Sequence, residues 1–215
     1  MSSIATRSAT SDDLPQMVEV FFSAFSDSAL NKRCFPESSP EVVAWQEELI
    51  QKNIDDKNDN YVIVAEQDSR MLGWARWVRR EHPPAAKNLE RESFPCSGDQ
   101  ETARHFFQLN NDATIKYVAG VKHWFLSTIA VAKAGQRQGV GSALMKFGVE
   151  RADAEGWMSY LNSSHEGKGL YEKFGFNVVG TTEFPDLGMV QYHMRREAVR
   201  GSDDRGNSSK AIRTT

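Results

Sequence analysis

The run Trp124-Phe-Leu-Ser-Thr-Ile-Ala-Val131 constrains the fold of this chain more than any other segment. It is too apolar for a sheet edge, so it predicts a central strand. Gln136-Arg-Gln-Gly-Val-Gly141 follows after a short link. A helix is then predicted from Gly139 to about Ala154, with Val140, Leu144, Phe147 and Arg151 along one stripe and Glu155-Gly156 at its end. A strand that passes through two glycines into a helix leaves the first N–H groups of that helix bare. Such donors, at the positive end of a helix dipole, suit an anion with several oxygens, such as a diphosphate. Glycine near a helix start costs roughly 1 kcal/mol, so two of them there need a reason.

The rest of the chain supplies neighbours for that strand. Ile4 to Arg7 predicts a short first strand, and Ser11-Asp-Asp-Leu-Pro15 a helix start capped by Ser11. Met17, Val20, Phe21, Ala24 and Phe25 then face the core at helical spacing. A loop around Cys34 and Pro36 precedes a second helix, opened by Ser39-Pro-Glu41 and carrying Val42, Trp45, Leu49 and Ile50 inward. Tyr61 to Glu66 and Met71 to Arg80 predict a hairpin, with Trp74 and Arg76 on one face and Ala75 and Trp77 on the other. Between Glu81 and Gly120 the only periodic piece is Ala103 to Leu109, so this region reads as a partly helical insertion. Trp157 to Ser163 is a further strand, and Gly167 to Phe174 a short helix closed by Gly175. Phe176 to Thr182 and Val190 to Arg195 are the last two strands. One domain over residues 1–197 is expected, with a disordered polar tail over 198–215.

Composition removes several classes of function. The net charge is -3 and the pI about 6.0, with Lys and Arg dispersed, so the chain has no basic stripe for nucleic acid. Cys34 and Cys96 have no metal-like neighbours in sequence and form no disulfide framework, which fits reduced thiols and no metal. Met1-Ser-Ser-Ile-Ala-Thr-Arg7 lacks an apolar leader, and no run reaches the roughly 18 apolar residues of a membrane span. A cytoplasmic protein with no membrane partner is expected.

Four segments carry a resemblance: Trp124 to Val131, Gln136-x-x-Gly-x-Gly with Ser142-Ala-Leu144, Tyr160-Leu-Asn-Ser-Ser164, and Leu170-Tyr-Glu-Lys-Phe-Gly-Phe176. In order and spacing they resemble the GNAT (Gcn5-related N-acetyltransferase) superfamily, and within it the puromycin N-acetyltransferase branch. The resemblance implies a mixed α/β fold, a twisted and mostly antiparallel sheet of about six to seven strands flanked by helices. It implies transfer of an acetyl group from acetyl-CoA to the primary amine of a small molecule, such as an aminonucleoside, an amino sugar, a metabolite or a toxin, by direct attack in a ternary complex.

The resemblance also assigns residues. The backbone of Ile129, Ala130 and Val131 would bond the pantetheine arm as an added strand does. Gln136, Arg137, Gln138, Gly139, Val140, Gly141 and Ser142 would hold the diphosphate. Tyr171 matches the tyrosine that acts as general acid toward the departing thiolate, a role suited to a phenol of pKa about 10. Asn162 stands where the related pattern often has Glu. An amide cannot serve as a base, so Asn162 is left to orient a water or the cofactor. His123, with an ordinary pKa near 6.5, is a candidate base, ahead of Glu66, Glu81, His105 and Glu166. Two other functions stay open: a protein or peptide N-acetyltransferase, to which the acidic residues between Glu81 and Asp112 are suited, and a non-catalytic acyl-CoA-binding module. Monomer and homodimer are both compatible with the sequence.

Overall fold

In the computed structural model, which describes residues 3–82, 89 and 93–199, the apolar run is the middle strand of a seven-stranded sheet. The strands are β1 (Ala5–Ser8), β2 (Asn60–Gln67), β3 (Arg70–Arg80), β4 (His123–Val131), β5 (Met158–Ser163), β6 (Asn177–Phe184) and β7 (Met189–Arg196). They lie in the order β1-β2-β3-β4-β5-β7-β6, and every neighbouring pair is antiparallel except β4 and β5. On one face pack α1 (Leu14–Phe25), α2 (Ala29–Cys34), α3 (Pro40–Asp55) and α4 (Gln100–Val118). On the other face pack α5 (Val140–Glu155) and α6 (His165–Lys173). This is the mixed α/β architecture expected above.

Strand parity divides the two cores. Val62, Val64, Trp74 and Ala130 enter the core beneath α1 to α4, whereas Ile63, Ala65, Ala75 and Trp77 enter the one beneath α5 and α6. Each tryptophan also finds a backbone acceptor: Trp74 Nε1 donates to the Met17 carbonyl at 2.9 Å and Trp77 Nε1 to that of Leu144 at 3.2 Å. α5 lies so close to β3 that a Cβ on Gly148 would stand 2.2 Å from the Trp77 ring.

Several local expectations are corrected. Ser11 does not cap α1: residues Ser11–Asp13 form a 3-10 turn, and the buried Asp13 carboxylate takes the Thr10 N–H at 2.8 Å and the Arg7 guanidinium at 2.7 Å. The stretch around Cys34 is the helix α2. In α3 the buried positions are Val42, Gln46, Ile50 and Ile54, and Leu49 is exposed. In α5 the buried stripe is Val140, Leu144, Met145, Gly148, Val149 and Ala152. Arg151 instead lies on the exposed side with its guanidinium 3.6 Å from the Phe147 ring centroid. α4 runs far beyond Leu109. Its inward residues Asn110 and Thr114 are polar but bond back one turn, Asn110 Nδ2 to the Phe106 carbonyl at 2.9 Å and Thr114 Oγ1 to that of Asn110 at 2.7 Å. Within the expected insertion, residues 83–88 and 90–92 lie outside the described residues, as does the expected tail from residue 200 onward.

One irregularity positions the site. β3 pairs with β4 along nearly its whole length, from Gly73↔Val131 to Arg80↔His123. β5 pairs with β4 only from His123↔Met158 to Leu126↔Leu161, and then continues with β7 through Asn162↔His193 and Ser163↔Tyr192. The β3–β4 register also slips here, from Trp77↔Leu126 to Arg76↔Thr128, which leaves Ser127 as an extra residue of β4. A bulge bends its strand and adds twist, so β4 turns away from β5 at Ser127. Beyond that point a notch opens between them.

Candidate active site

The notch has an unpaired strand edge for one wall. From Ser127 to Val131 no described strand pairs with β4 on the side of β5, although Ile129, Ala130 and Val131 remain paired to β3. Such an edge presents a row of backbone donors and acceptors. At the end of β4 the chain passes through Lys133–Gly135 into the turn that starts α5. Gly139 is the residue before α5 and has φ +91°, and Arg137 also has a positive φ, +60°. Both are exposed, with Gln136 and Gln138 between and beside them. The two glutamine side chains brace the turn, Gln136 Nε2 on the Val131 carbonyl at 3.3 Å and Gln138 Nε2 on that of Ala134 at 2.5 Å. Val140, Gly141 and Ser142 form the first turn of α5, whose N–H groups have no carbonyl one turn earlier in the helix. The residues predicted to hold pantetheine and diphosphate are thus brought together at one end of the molecule.

Tyr171 lies at the same end. Ser164 caps α6, its Oγ taking the Gly167 N–H at 3.3 Å. The helix then leans on the start of α5: a Cβ on Gly141 would approach Leu170 Cδ2 to 3.0 Å. A Cβ on Gly167 would meet both the Tyr171 ring at 3.1 Å and Ser163 Oγ at 3.3 Å, which places that ring beside the last residue of β5. Tyr171 is buried, edge-on to Phe176 at 6.2 Å, and burial raises its phenol above the usual range. No hydrogen bond contributes to that shift. The hydroxyl therefore keeps its proton throughout the neutral range.

Asn162, the first β5 residue past the pairing with β4, is held in a hydrogen-bond network that the sequence reading did not contain. Its Oδ1 accepts from Tyr160 Oη at 2.9 Å and from His193 Nδ1 at 2.7 Å, while its Nδ2 donates to Thr114 Oγ1 at 3.4 Å. His193 Nε2 in turn accepts from Thr182 Oγ1 at 2.8 Å. These partners fix the neutral imidazole with its proton on Nδ1. Burial, with Lys116 nearby, lowers the His193 pKa and keeps it neutral. The signal for this network is weak in sequence: a histidine in an alternating strand, at the parity that faces Asn162 across β5 and β7.

The candidate bases are scattered. His123 is fully buried at the paired end of β4, four residues before Ser127 and so about 13 Å away along the strand. Its Nδ1 donates to the Val121 carbonyl at 2.8 Å, its buried Nε2 has no partner among the described residues, and burial lowers its pKa to about 4. The structure therefore does not bring His123 together with Tyr171. Glu66 binds Arg7 at the β1 edge, Glu81 binds Arg79 at 2.9 Å, and His105 packs edge-on against Phe184. Glu166 lies at the notch end, in a cleft of about 290 Å³ that Ser164, His165, Met189 and Tyr192 also line. Among the described residues no cluster of three metal-ligating side chains occurs.

Comparison with known proteins gives the family and agrees with the fold. The acetyltransferase (GNAT) family matches residues 27–176. An acetyltransferase of Stachybotrys chartarum is 24% identical over 209 residues, covering 90% of this chain and 89% of that protein. Among solved structures, one from Corynebacterium glutamicum, described as histone acetyltransferase HPA2 and related acetyltransferase, superimposes with a TM-score of 0.62 at 23% identity, covering 94% of this chain and 99% of the other. The polyamine N-acetyltransferase of Drosophila melanogaster, described as forming N-acetylagmatine, superimposes with a TM-score of 0.65 at 13% identity, covering 91% and 100%. With the match spanning both the notch and the glycine turn, the chain belongs to the GNAT family of acetyltransferases.

Proposed function

We propose that this protein transfers the acetyl group of acetyl-CoA to the primary amine of a small molecule, by direct attack within a ternary complex. The observation that carries this reading is the meeting of β4's open edge with the bare first turn of α5 at one end of the sheet. The residues present fit the donor. Ile129 to Val131 offer backbone partners to the two amides of pantetheine, and Gly139, Gly141 and their neighbours offer N–H groups and a helix dipole to the diphosphate, with Arg137 as an exposed cation. Acetyl-CoA supplies a thioester already activated toward amines.

The chain's own groups then divide the remaining work. Tyr171 holds a proton at Oη, which makes it a donor to a departing thiolate and not a base. Asn162, locked by Tyr160 and His193, orients groups in the notch without exchanging a proton itself. Loss of the ammonium proton falls to water, with Glu166 as the carboxylate at that end. The likeness to the puromycin-acetylating branch supports an aminonucleoside or amino sugar acceptor, and the Drosophila fold neighbour supports a small alkyl amine.

The deciding experiment measures acceptor-dependent CoA release with a panel of amines, aminonucleosides and short peptides, alongside Tyr171→Phe. Small-amine turnover that falls sharply in the variant supports the proposal. Turnover confined to peptides would replace it with protein acetylation, and tight acetyl-CoA binding with no turnover would leave a binding module.

A further inference from the structure

Resting on the acetyl-transfer reading, a second observation concerns the acceptor. The last five residues of β3 carry three arginines. Arg79 is surrounded by carboxylates, Glu155 and Glu81 at 2.9 Å and Asp59 at 3.4 Å. Arg7, Arg33, Arg195 and Arg196 likewise each have a carboxylate partner. Arg76 and Arg80 do not. Both are half-buried and lie by parity on the face of α1 to α4. Arg76 Nε donates to Asn60 Oδ1 at 2.7 Å and its Nη1 to Ser127 Oγ at 3.3 Å. The Arg80 guanidinium lies over the Phe125 ring, 4.2 Å from its centroid. Neither forms an ion pair among the described residues. Asp56 acts on Arg76 only at a distance, and burial together with Arg76 pulls Arg80 down to about 10.

Two guanidiniums half-buried on one face, with Arg76 disfavouring the charge of Arg80, are costly unless something neutralises them. Arginine stays charged, and its planar fork matches an anionic oxygen pair better than any other side chain. The location adds the rest. Ser127, which Arg76 touches, is the bulged residue where β4 leaves β5, and Asn162 opposite it is the first β5 residue past the pairing with β4. Arg76 therefore sits at the apex of the notch, on the face away from α5 and its diphosphate cradle, while Arg80, opposite His123 further back along β4, reaches its guanidinium over Phe125 on the same face.

We propose that the acceptor amine carries an anionic oxygen group, a carboxylate or a phosphate, and that Arg76, supported by Arg80, holds this group at the apex of the notch. The role is recognition, not chemistry. A polyamine, the acceptor named for the Drosophila fold neighbour, would meet two like charges here.

The test uses amines in pairs that differ by the anionic group: ornithine and putrescine, arginine and agmatine, lysine and cadaverine, with phosphoethanolamine and ethanolamine to separate phosphate from carboxylate. Acceptor-dependent CoA release should favour the anionic member of a pair by about tenfold or more in kcat/KM, the range of a charged hydrogen bond. Arg76→Gln should abolish that preference mainly through KM, and Arg76→Lys should keep part of it; the Arg80 side chain makes no hydrogen bond among the described residues, so Arg80→Gln should reduce the preference without lowering the melting temperature. Equal or better turnover of the members that lack the anionic group, or a preference that survives both glutamine variants, overturns the inference. Calorimetric binding of the same amines to the CoA-loaded protein separates the two readings. Arg76-dependent binding of ornithine or phosphoethanolamine without turnover keeps the anion site and sinks acetyl transfer; turnover without Arg76-dependent binding does the reverse.

Discussion

Tyr171 combines burial with a hydroxyl that makes no hydrogen bond among the described residues, so its removal separates chemistry from folding. Tyr171→Phe should lower kcat by about a hundredfold, within the usual range for a lost general acid, and leave the melting temperature nearly unchanged. Because its phenol is raised, the rate should show no loss from Tyr171 ionisation between neutral pH and about pH 10. His123 gives the complementary prediction for stability. Its folded pKa, about 4, lies below the ordinary 6.5, so between these values the unfolded chain binds more protons and stability falls as pH falls. The full effect is on the order of 3 kcal/mol and should appear in urea unfolding at pH 7 against pH 4. His123→Asn keeps an N–H for the Val121 carbonyl and should flatten that slope; an equally steep slope in the variant would assign it to other groups.

At the scale of elements, α5 carries two glycine constraints of different kinds. Gly139 has a backbone that side chains resist, so Gly139→Ala should cost about 1–2 kcal/mol of stability and weaken acetyl-CoA binding together, as denaturation and calorimetry would show. Gly148 faces a rigid indole, so Gly148→Ala should cost about 3 kcal/mol through overpacking while acetyl-CoA affinity at the helix start stays the same. These elements were legible in the sequence because their patterns are unambiguous: an apolar run, a glycine turn, a helix stripe. α4 was legible only in its first half, since Asn110 and Thr114 occupy inward positions that periodicity reserves for apolar residues. α2, one and a half turns long, is too short to show a period. Parity placed Arg76 and Trp74 on their face of β3, but no sequence pattern shows that an arginine lacks a partner.

Across the whole molecule, the sheet is two blocks, β1 to β4 and β5-β7-β6, joined by four parallel residue pairs. That these segments form strands follows from the sequence; their order in the sheet and the point at which the blocks part, the extra residue Ser127, are read only from the register. A second tie across the blocks is Arg196, buried on β7, whose guanidinium holds Asp153 of α5 at 2.7 Å through both nitrogens and the Phe174 carbonyl at 2.8 Å. Asp153→Ala leaves that charge unpaired and should cost about 3 kcal/mol, read as a lower urea midpoint.

A sheet so thinly joined across its middle has a further property. A donor laid along β4 and against α5 would act as mortar between the blocks, and ligand present at a hundredfold over its Kd adds about 2.7 kcal/mol to the folded state. Amide exchange in β5, β6 and β7 should therefore slow when acetyl-CoA is added, and cleavage by added protease should slow with it. The lifetime of the protein would then rise and fall with the supply of its own substrate.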